Sequence, residues 1–488
     1  MAQHTVEKIG GTSMIRFQEV LDNIFIGNKS EEEIYNRIFV VSAYAGITDQ
    51  LLEHKRSHKP GVYSEFCDTD SDWAWADVLS ETADTMCQIN KALFTDEMDL
   101  QIADRFVLDR IEGVRSCLLD LQRLCSYGHF QLEEHLATVR EMLSALGEAH
   151  SAHNTSLILY RHGINARFID LTGWREKDNP GLDEKILKNL EGIDFSKELP
   201  IVTGYTQCQE GLMSTFDRGY TEITFSRIAV LTQAREAIIH KEYHLSTADP
   251  RVVGEERVIP IGRTNYDVAD QLSNLGMEAI HPKAAKGLRQ SDIPLRVRNA
   301  FEPNHNGTLI CNEYCSEQPC VEIIAGMTKV YAIEVFDQDM VGVSCGYESN
   351  ILSTLMDNKF KIVTKDINAN TITHYVSGSL KKIKRLIGRL QHKLPNAEIN
   401  MRKVAVVSAI GSDMQVPGIL AATVSLLASD GVSILAMHQS MRQVDMQFII
   451  AEDDYEKAVK ALHKGLIERG LGIIETDPQN NKSFSICD

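Results

Sequence analysis

A lysine sits in an apolar run, and two glycines and two hydroxyl residues follow it closely: VEKIGGTSM, residues 6–14. Val6 and Ile9 flank Lys8 in what reads as a strand, and Gly10-Gly11 breaks that strand. Thr12 and Ser13 then read as the N-cap of a helix. A strand, a glycine turn and a helix start make an anion site, because main-chain N–H groups point outward and the helix dipole favours negative charge. Other stretches carry residues of comparable chemistry. VVSAYAG (40–46) offers Ser42, and LGEAHS (146–151) offers Glu148 in a helix. TFDRGYTEITFSRIAV (215–230) sets Arg218, Thr221 and Glu222 around Gly219 just before a helix. HLSTADPRVVG (244–254) is a loop with Ser246, Asp249 and Arg251, and NLGMEAIHPKA (274–284) closes a helix with His281-Pro282. Taken singly, each has an ordinary structural use: a solvated lysine, a surface arginine, a helix-face glutamate, capping hydroxyls.

The elements around these residues give them a common place. Strands read at 37–46, running into a turn, and at 166–171, 199–205, 236–242 and 295–300, with helical patterns between several of them. The helix at 48–56 reads as capped by Thr48. Strands alternating with helices imply an α/β fold with a mainly parallel sheet covered on both faces. Ligands of such sheets sit outside the carboxyl ends of the strands. Lys8, Ser42 and Gly204 each stand at such an end, which favours the anion site over an accident of local sequence. Residues 60–145 carry long helical periodicity.

A polar, irregular stretch at 303–320 precedes an internal repeat. IEVFDQDMVGVSCGYESNILSTLMDNKFKIV (333–363) resembles VVSAIGSDMQVPGILAATVSLLASDGVSIL (406–435), each with an Asp-Met pair between strand and helix. Each half continues with a further strand and helix, which gives the βαββα order of ferredoxin-like modules. A short strand at 471–475 would complete one unit.

The totals exclude several classes. The 488 residues are 43% hydrophobic and 24% charged, as in a soluble globular protein of two to four domains. No apolar run approaches the roughly 20 residues of a membrane span, and no signal-peptide pattern opens the chain. The net charge of −18 speaks against nucleic acid as a partner. The ten cysteines lack CxxC or Cys/His spacing and read as free thiols of a cytoplasmic protein. No protein metal site is expected. The phosphate loop GxxxxGK followed by Ser or Thr is absent, as are the HRD and DFG signatures of protein kinases.

The ordered motifs KIGGTS, VVSAYAG, GE, RGYTE, TADPR and GMEAIHP, followed by the repeat, resemble the aspartokinases of the amino-acid kinase family over essentially the whole chain. KIGGTSM, FDRGYTEITFSRIAV and REAIIHKEYHLSTADP look like the specialised members that feed ectoine synthesis. The resemblance implies an amino-acid kinase domain over 1–315, with the helical insertion at 60–145, and ferredoxin-like ACT domains over 320–400 and 401–480. It implies transfer of the γ-phosphoryl group of ATP, accompanied by Mg²⁺, to the β-carboxylate of L-aspartate. By this resemblance Lys8 and Glu222 are catalytic. Lys8, Gly10, Gly11, Thr12, Ser246, Asp249 and Arg251 contact ATP, and Ser42, Thr48, Glu148, Arg218 and Thr221 bind aspartate. Arg218 would grip the α-carboxylate and Glu148 the α-amino group. An amino-acid effector at the ACT pair, near 339–350 and 368–375, and a homo-oligomer, dimer or tetramer, are implied as well. The sequence departs from the family where Glu222 replaces the usual Asp, where His240-Lys241 replaces Thr-Asp, and where Glu278 replaces Lys. An amino-acid kinase acting on another carboxylate, or a non-catalytic amino-acid sensor, remains as an alternative.

Overall fold

The computed structural model describes residues 3–27, 29–54, 57, 59–68, 73–216, 219–277 and 279–469. The chain forms two compact units, Met1–His244 with Ile280–Asn312, and Leu245–Ala279 with Glu313–Asp488. Residues 245–279, which lie inside the expected catalytic block of 1–315, group with the second unit.

The first unit is built on strands β1 (Thr5–Ile9), β2 (Arg37–Val41), β3 (Ala166–Ile169), β4 (Leu199–Thr203) and β5 (Glu236–Lys241). The short β6 (Arg263–Asn265) falls in the second unit, and β7 (Leu295–Asn299) and β8 (Thr308–Cys311) return to the first. Within this unit the strands run β3-β4-β2-β1-β5-β7-β8. All pair in parallel except β7 with β8. β2 and β4 are buried along their whole length, as a sheet covered by helices requires. The expected helical insertion is present as Val62–Cys67, Ala74–Leu93, Glu97–Ser126 and the start of Leu136–Arg161. Asp96 caps the longest of these, accepting from the amide of Asp99.

In the second unit β9 (Ile323–Phe336), β10 (Lys361–Ile367), β11 (Thr371–Ser377), β12 (Glu398–Ile410), β13 (Ile434–Gln439) and β14 (Asp445–Ala451) share one sheet in the order β10-β11-β9-β12-β14-β13. The long β9 and β12 pair antiparallel at its centre. Each half follows the βαββα order, with helices Ser344–Asp357 and Leu380–Lys393 in one and Ile419–Ser429 and Tyr455–Leu462 in the other. In helix Leu380–Lys393 the buried Ile383, Leu386 and Leu390 recur at helical spacing and form one apolar stripe. Residues 245–279 supply core to this unit: Ala248 and Val253 pack with the second half, and Val268, Leu272 and Leu275 with Val330, Val404 and Ile449. The strand expected at 471–475 lies outside the described residues.

Candidate active site

Lys8 occupies the middle strand of the parallel sheet, opposite Val40 of β2 and Ile239 of β5. Neighbouring strands on both sides fix its backbone, so the side chain leaves from a rigid base. Its Nζ lies 3.4 Å from Oε1 of Glu222. Glu222 stands in the first turn of helix Tyr220–Leu231, and its Oε2 accepts a hydrogen bond from the amide of His281. Burial alone would raise the Glu222 carboxyl; the charges of Lys8 and Lys241 and the His281 amide outweigh it and hold the group below its ordinary value.

The loops after β1, β2 and β4 interlock at the strand ends. The amide of Ser42 donates to the carbonyl of Ile9, and that of Gly204 to the carbonyl of Val41. Gly11 has no room for a side chain, since a Cβ would meet the Ala43 carbonyl oxygen at 2.4 Å. Gly204 is as constrained: a Cβ there would meet Thr221 at 2.4 Å and Oε2 of Glu148 at 2.6 Å. The absence of these two side chains brings the Glu148 carboxylate against the end of β4. Glu148 is 2% exposed, and its Oε1 accepts from Oγ of Thr221 at 2.6 Å. Burial pushes its carboxyl up to about 8, against the weaker opposing pull of the Thr221 hydroxyl, Lys8 and the amides of Ala43 and Tyr205.

Lys8, Glu222, Thr221, Glu148, Ser42, Gly10 and Gly11 thus belong to one neighbourhood at the carboxyl ends of β1, β2 and β4. Two local readings need correction. Gly10, not Thr12 or Ser13, is the N-cap of the short helix Gly11–Ile15, and no side chain caps it. Ser13 is buried and donates instead to Oε1 of Glu242 at 2.8 Å, while Thr12 is exposed. Likewise Gly46, in the left-handed region at φ 91°, precedes helix Ile47–Leu51, and Thr48 lies inside that helix. Ser246, Asp249 and Arg251 are held in the second unit. There Asp249 caps helix Pro250–Val253 and pairs with the Arg251 guanidinium at 2.8 Å. Arg218 and Glu278 lie outside the described residues.

The sequence reading gave no role to Lys241, Glu242 or the His281 amide. Lys241 ends β5, two residues past the Ile239 that pairs with Lys8, so strand alternation sets both lysines on one face of the sheet. That signal was present in the alternation of EAIIHKE. The amide of His281 could not be found from residue type, because any residue carries one.

The arrangement presents a rigid cation with an ionised carboxylate beside it. A second, protonated carboxyl lies nearby at the ends of parallel strands. It suits binding and neutralising an anionic group, and Glu222 has no proton to exchange.

Residues 3–299 match the amino acid kinase family, and residues 396–464 match an ACT domain. The chain is 57% identical over 465 residues to aspartate kinase Ask_Ect of Stutzerimonas stutzeri (strain A1501), covering 95% of this chain and 98% of that one. It is 24% identical to the aspartokinase of Candida albicans, with 96% and 91% covered. Escherichia coli aspartokinase III, solved with aspartate and ADP, shares the fold at a TM-score of 0.70 and 18% identity, over 95% of this chain and 100% of that one. With the strand-end cluster in place and a near-full-length relative at 57% identity, the chain belongs to the amino acid kinase family, within its ACT-bearing aspartate kinase branch.

Proposed function

We propose that the protein is an aspartate kinase that converts ATP and L-aspartate to ADP and 4-phospho-L-aspartate and feeds ectoine synthesis. The observation that carries this reading is the likeness to aspartate kinase Ask_Ect along nearly the whole of both chains. An oxygen of the β-carboxylate attacks the γ-phosphorus, the bond to the bridging oxygen breaks, and its electron pair leaves on ADP. The attacking group is already ionised at neutral pH, so the reaction asks for charge neutralisation and alignment rather than a base.

Lys8 then places its ammonium on the transferring phosphoryl group, with Lys241 as a second cation on the same face. Glu222 keeps Lys8 aimed. The amides around Gly10 and Gly11 face the phosphates. Glu148 receives the α-ammonium of aspartate, Thr221 and Ser42 flank it with hydroxyls, and Arg218 grips the α-carboxylate. Among the described residues no group of three or more His, Cys, Asp or Glu is arranged to hold a metal ion. Mg²⁺ would come with the nucleotide, held largely by its phosphates and water, and would screen phosphate charge. The ACT pair takes an amino-acid effector, and the chain works as a homo-oligomer. No helix among the described residues is long and apolar enough to cross a membrane; the cytoplasmic setting is part of the proposal.

The test is a hydroxamate assay with aspartate, glutamate and N-acetylglutamate offered separately. Acyl phosphate from aspartate alone supports the reading. A preference for either other substrate makes the protein a different amino-acid kinase. No product from any, with amino acids still binding, makes it a sensor.

A further inference from the structure

Glu7 precedes Lys8 in β1, so its side chain leaves the sheet on the opposite face. On that face lies a cavity of about 620 Å³, lined among others by Glu7, Lys29, Arg37, His240, Arg298 and Asn304. Its size is that of a small-molecule site.

The floor is closed and satisfied. Arg37 holds Glu7 through two hydrogen bonds, 2.7 Å from Nε and 3.0 Å from Nη2, and donates further to the carbonyls of Ile24 and Phe25. His240 Nε2 lies 2.7 Å from the second Glu7 oxygen. Burial favours the neutral forms of Glu7 and His240. For Glu7, Arg37 and His240 win and keep it well below the usual carboxylate range; for His240, burial wins. Arg37 is therefore ion-paired with Glu7.

The walls are different. Lys29 donates to the carbonyl of Asn23 at 3.2 Å, and Arg298 to the carbonyls of Pro303 at 2.8 Å and His305 at 3.4 Å. These acceptors carry no charge. The rim carboxylates are engaged elsewhere: Asp22 accepts from Gln18, and Glu33 from the amide and hydroxyl of Ser30. Burial and then the positive charge of Arg37 pull the Lys29 ammonium down to about 8; Glu7 opposes them, Arg298 adds a smaller downward push, and Glu33 opposes least. Lys29 and Arg298 thus face one cavity with only main-chain carbonyls as hydrogen-bond partners, although the carboxylates of Glu7, Asp22 and Glu33 also line it, and an anion placed between the two cations would relieve their mutual repulsion.

We propose that this cavity is a second ligand site, which binds a compact oxyanion of phosphate or carboxylate type between Lys29 and Arg298. It is separated from the Lys8 cluster by the sheet itself, and nothing in the proposed phosphoryl transfer uses it. Its floor ties β1, β2 and β5 together, so an occupant stiffens the strand that carries Lys8.

The test follows the Lys29 amine in the full chain. Lysines are reductively methylated with ¹³C, and the Lys29 resonance is the one missing in Lys29→Arg. Inorganic phosphate and citrate are titrated in separate arms, in a Lys8→Ala background so that anion binding there does not interfere. Either anion is expected to raise the proton affinity of Lys29 about tenfold, and Arg298→Met to abolish the response. Response to phosphate alone assigns a phosphate-type ligand, and response to citrate a carboxylate-type one. In protein without methylation and with Lys8→Ala, phosphate or citrate should raise the melting temperature, and should not once Lys29→Met is added. A Lys29 resonance indifferent to both anions, or an undiminished response in Arg298→Met, overturns the proposal. None of these readouts depends on kinase activity, so the site stands or falls separately from the proposed reaction.

Discussion

Nζ of Lys8 and Oε1 of Glu222 are 3.4 Å apart, and the other Glu222 oxygen is held by the amide of His281. The carboxylate is a brace between β1 and the residue that precedes helix Pro282–Gln290. It carries charge, makes contacts with both oxygens and stays ionised. That is the role of an orienting group, and it differs from that of a base.

Lys8→Ala is expected to lower kcat by about a thousandfold, because the lost charge acts on the transferring phosphoryl group. Aspartate should still bind within a fewfold of the parent by calorimetry. Activity within tenfold of the parent would remove Lys8 from the chemistry.

Glu222→Gln keeps the hydrogen bond from His281 but loses the charge that holds Lys8. Turnover should fall about a hundredfold, with little change in the pH profile. Glu222→Asp keeps the charge but is shorter by about 1.5 Å, so it cannot reach Lys8 and the His281 amide together. An intermediate loss is expected. Near-normal turnover in the Gln variant would show that another group orients Lys8.

Much of this was legible in the sequence. The runs read as strands at 37–46, 199–205 and 236–242 contain the buried parallel strands Arg37–Val41, Leu199–Thr203 and Glu236–Lys241. Lys8, Ser42 and Gly204 then had to fall at their ends. The βαββα repeat was visible for the same reason, since its periods switch between two and 3.6. Caps were less legible. Thr12 and Thr48 have the right chemistry, yet a glycine stands two residues before each and takes the cap position with backbone geometry alone. The membership of 245–279 in the second unit is a matter of tertiary packing: Val268, Leu272 and Leu275 make an amphipathic helix whose partner the local pattern does not name. The Glu7–Arg37–His240 network joins residues far apart in sequence, and only the strand register reveals it.

Lys241→Met tests the second cation. If it helps to neutralise the nucleotide phosphates, the KM for ATP should rise about tenfold or more while that for aspartate stays within a fewfold. The reverse split would place Lys241 on the amino-acid side.

Residues 313–488 produced alone should be less stable than the same segment joined to 245–279. Without the latter, the pockets filled by Ala248, Val253, Val268 and Leu272 are left open. Urea unfolding of both polypeptides measures the difference. Equal midpoints would mean that residues 245–279 contribute no stability there.

Glu148 supplies the pH dependence. Burial holds its carboxyl protonated up to about 8 in the folded protein without ligand, whereas the unfolded chain releases that proton near 4.5. An α-ammonium group needs the ionised form, so kcat/KM for aspartate should climb with pH and level off above about 8. Binding at neutral pH should release a proton, which calorimetry in buffers of different ionisation enthalpy detects. The stability effect has the opposite sign. Between 4.5 and about 8 the folded state binds a proton that the unfolded state does not. Unfolding therefore becomes easier as pH rises through that window. The contribution is complete below the unfolded value and lost above the folded one. Glu148→Gln is neutral throughout and can still accept from Thr221. It should melt close to the parent at pH 5 and higher than the parent at pH 9, while losing most aspartate affinity. A Gln variant that melted lower than the parent at pH 9 would mean that Glu148 is stably ionised in the fold, and the rise of kcat/KM with pH would then need another source.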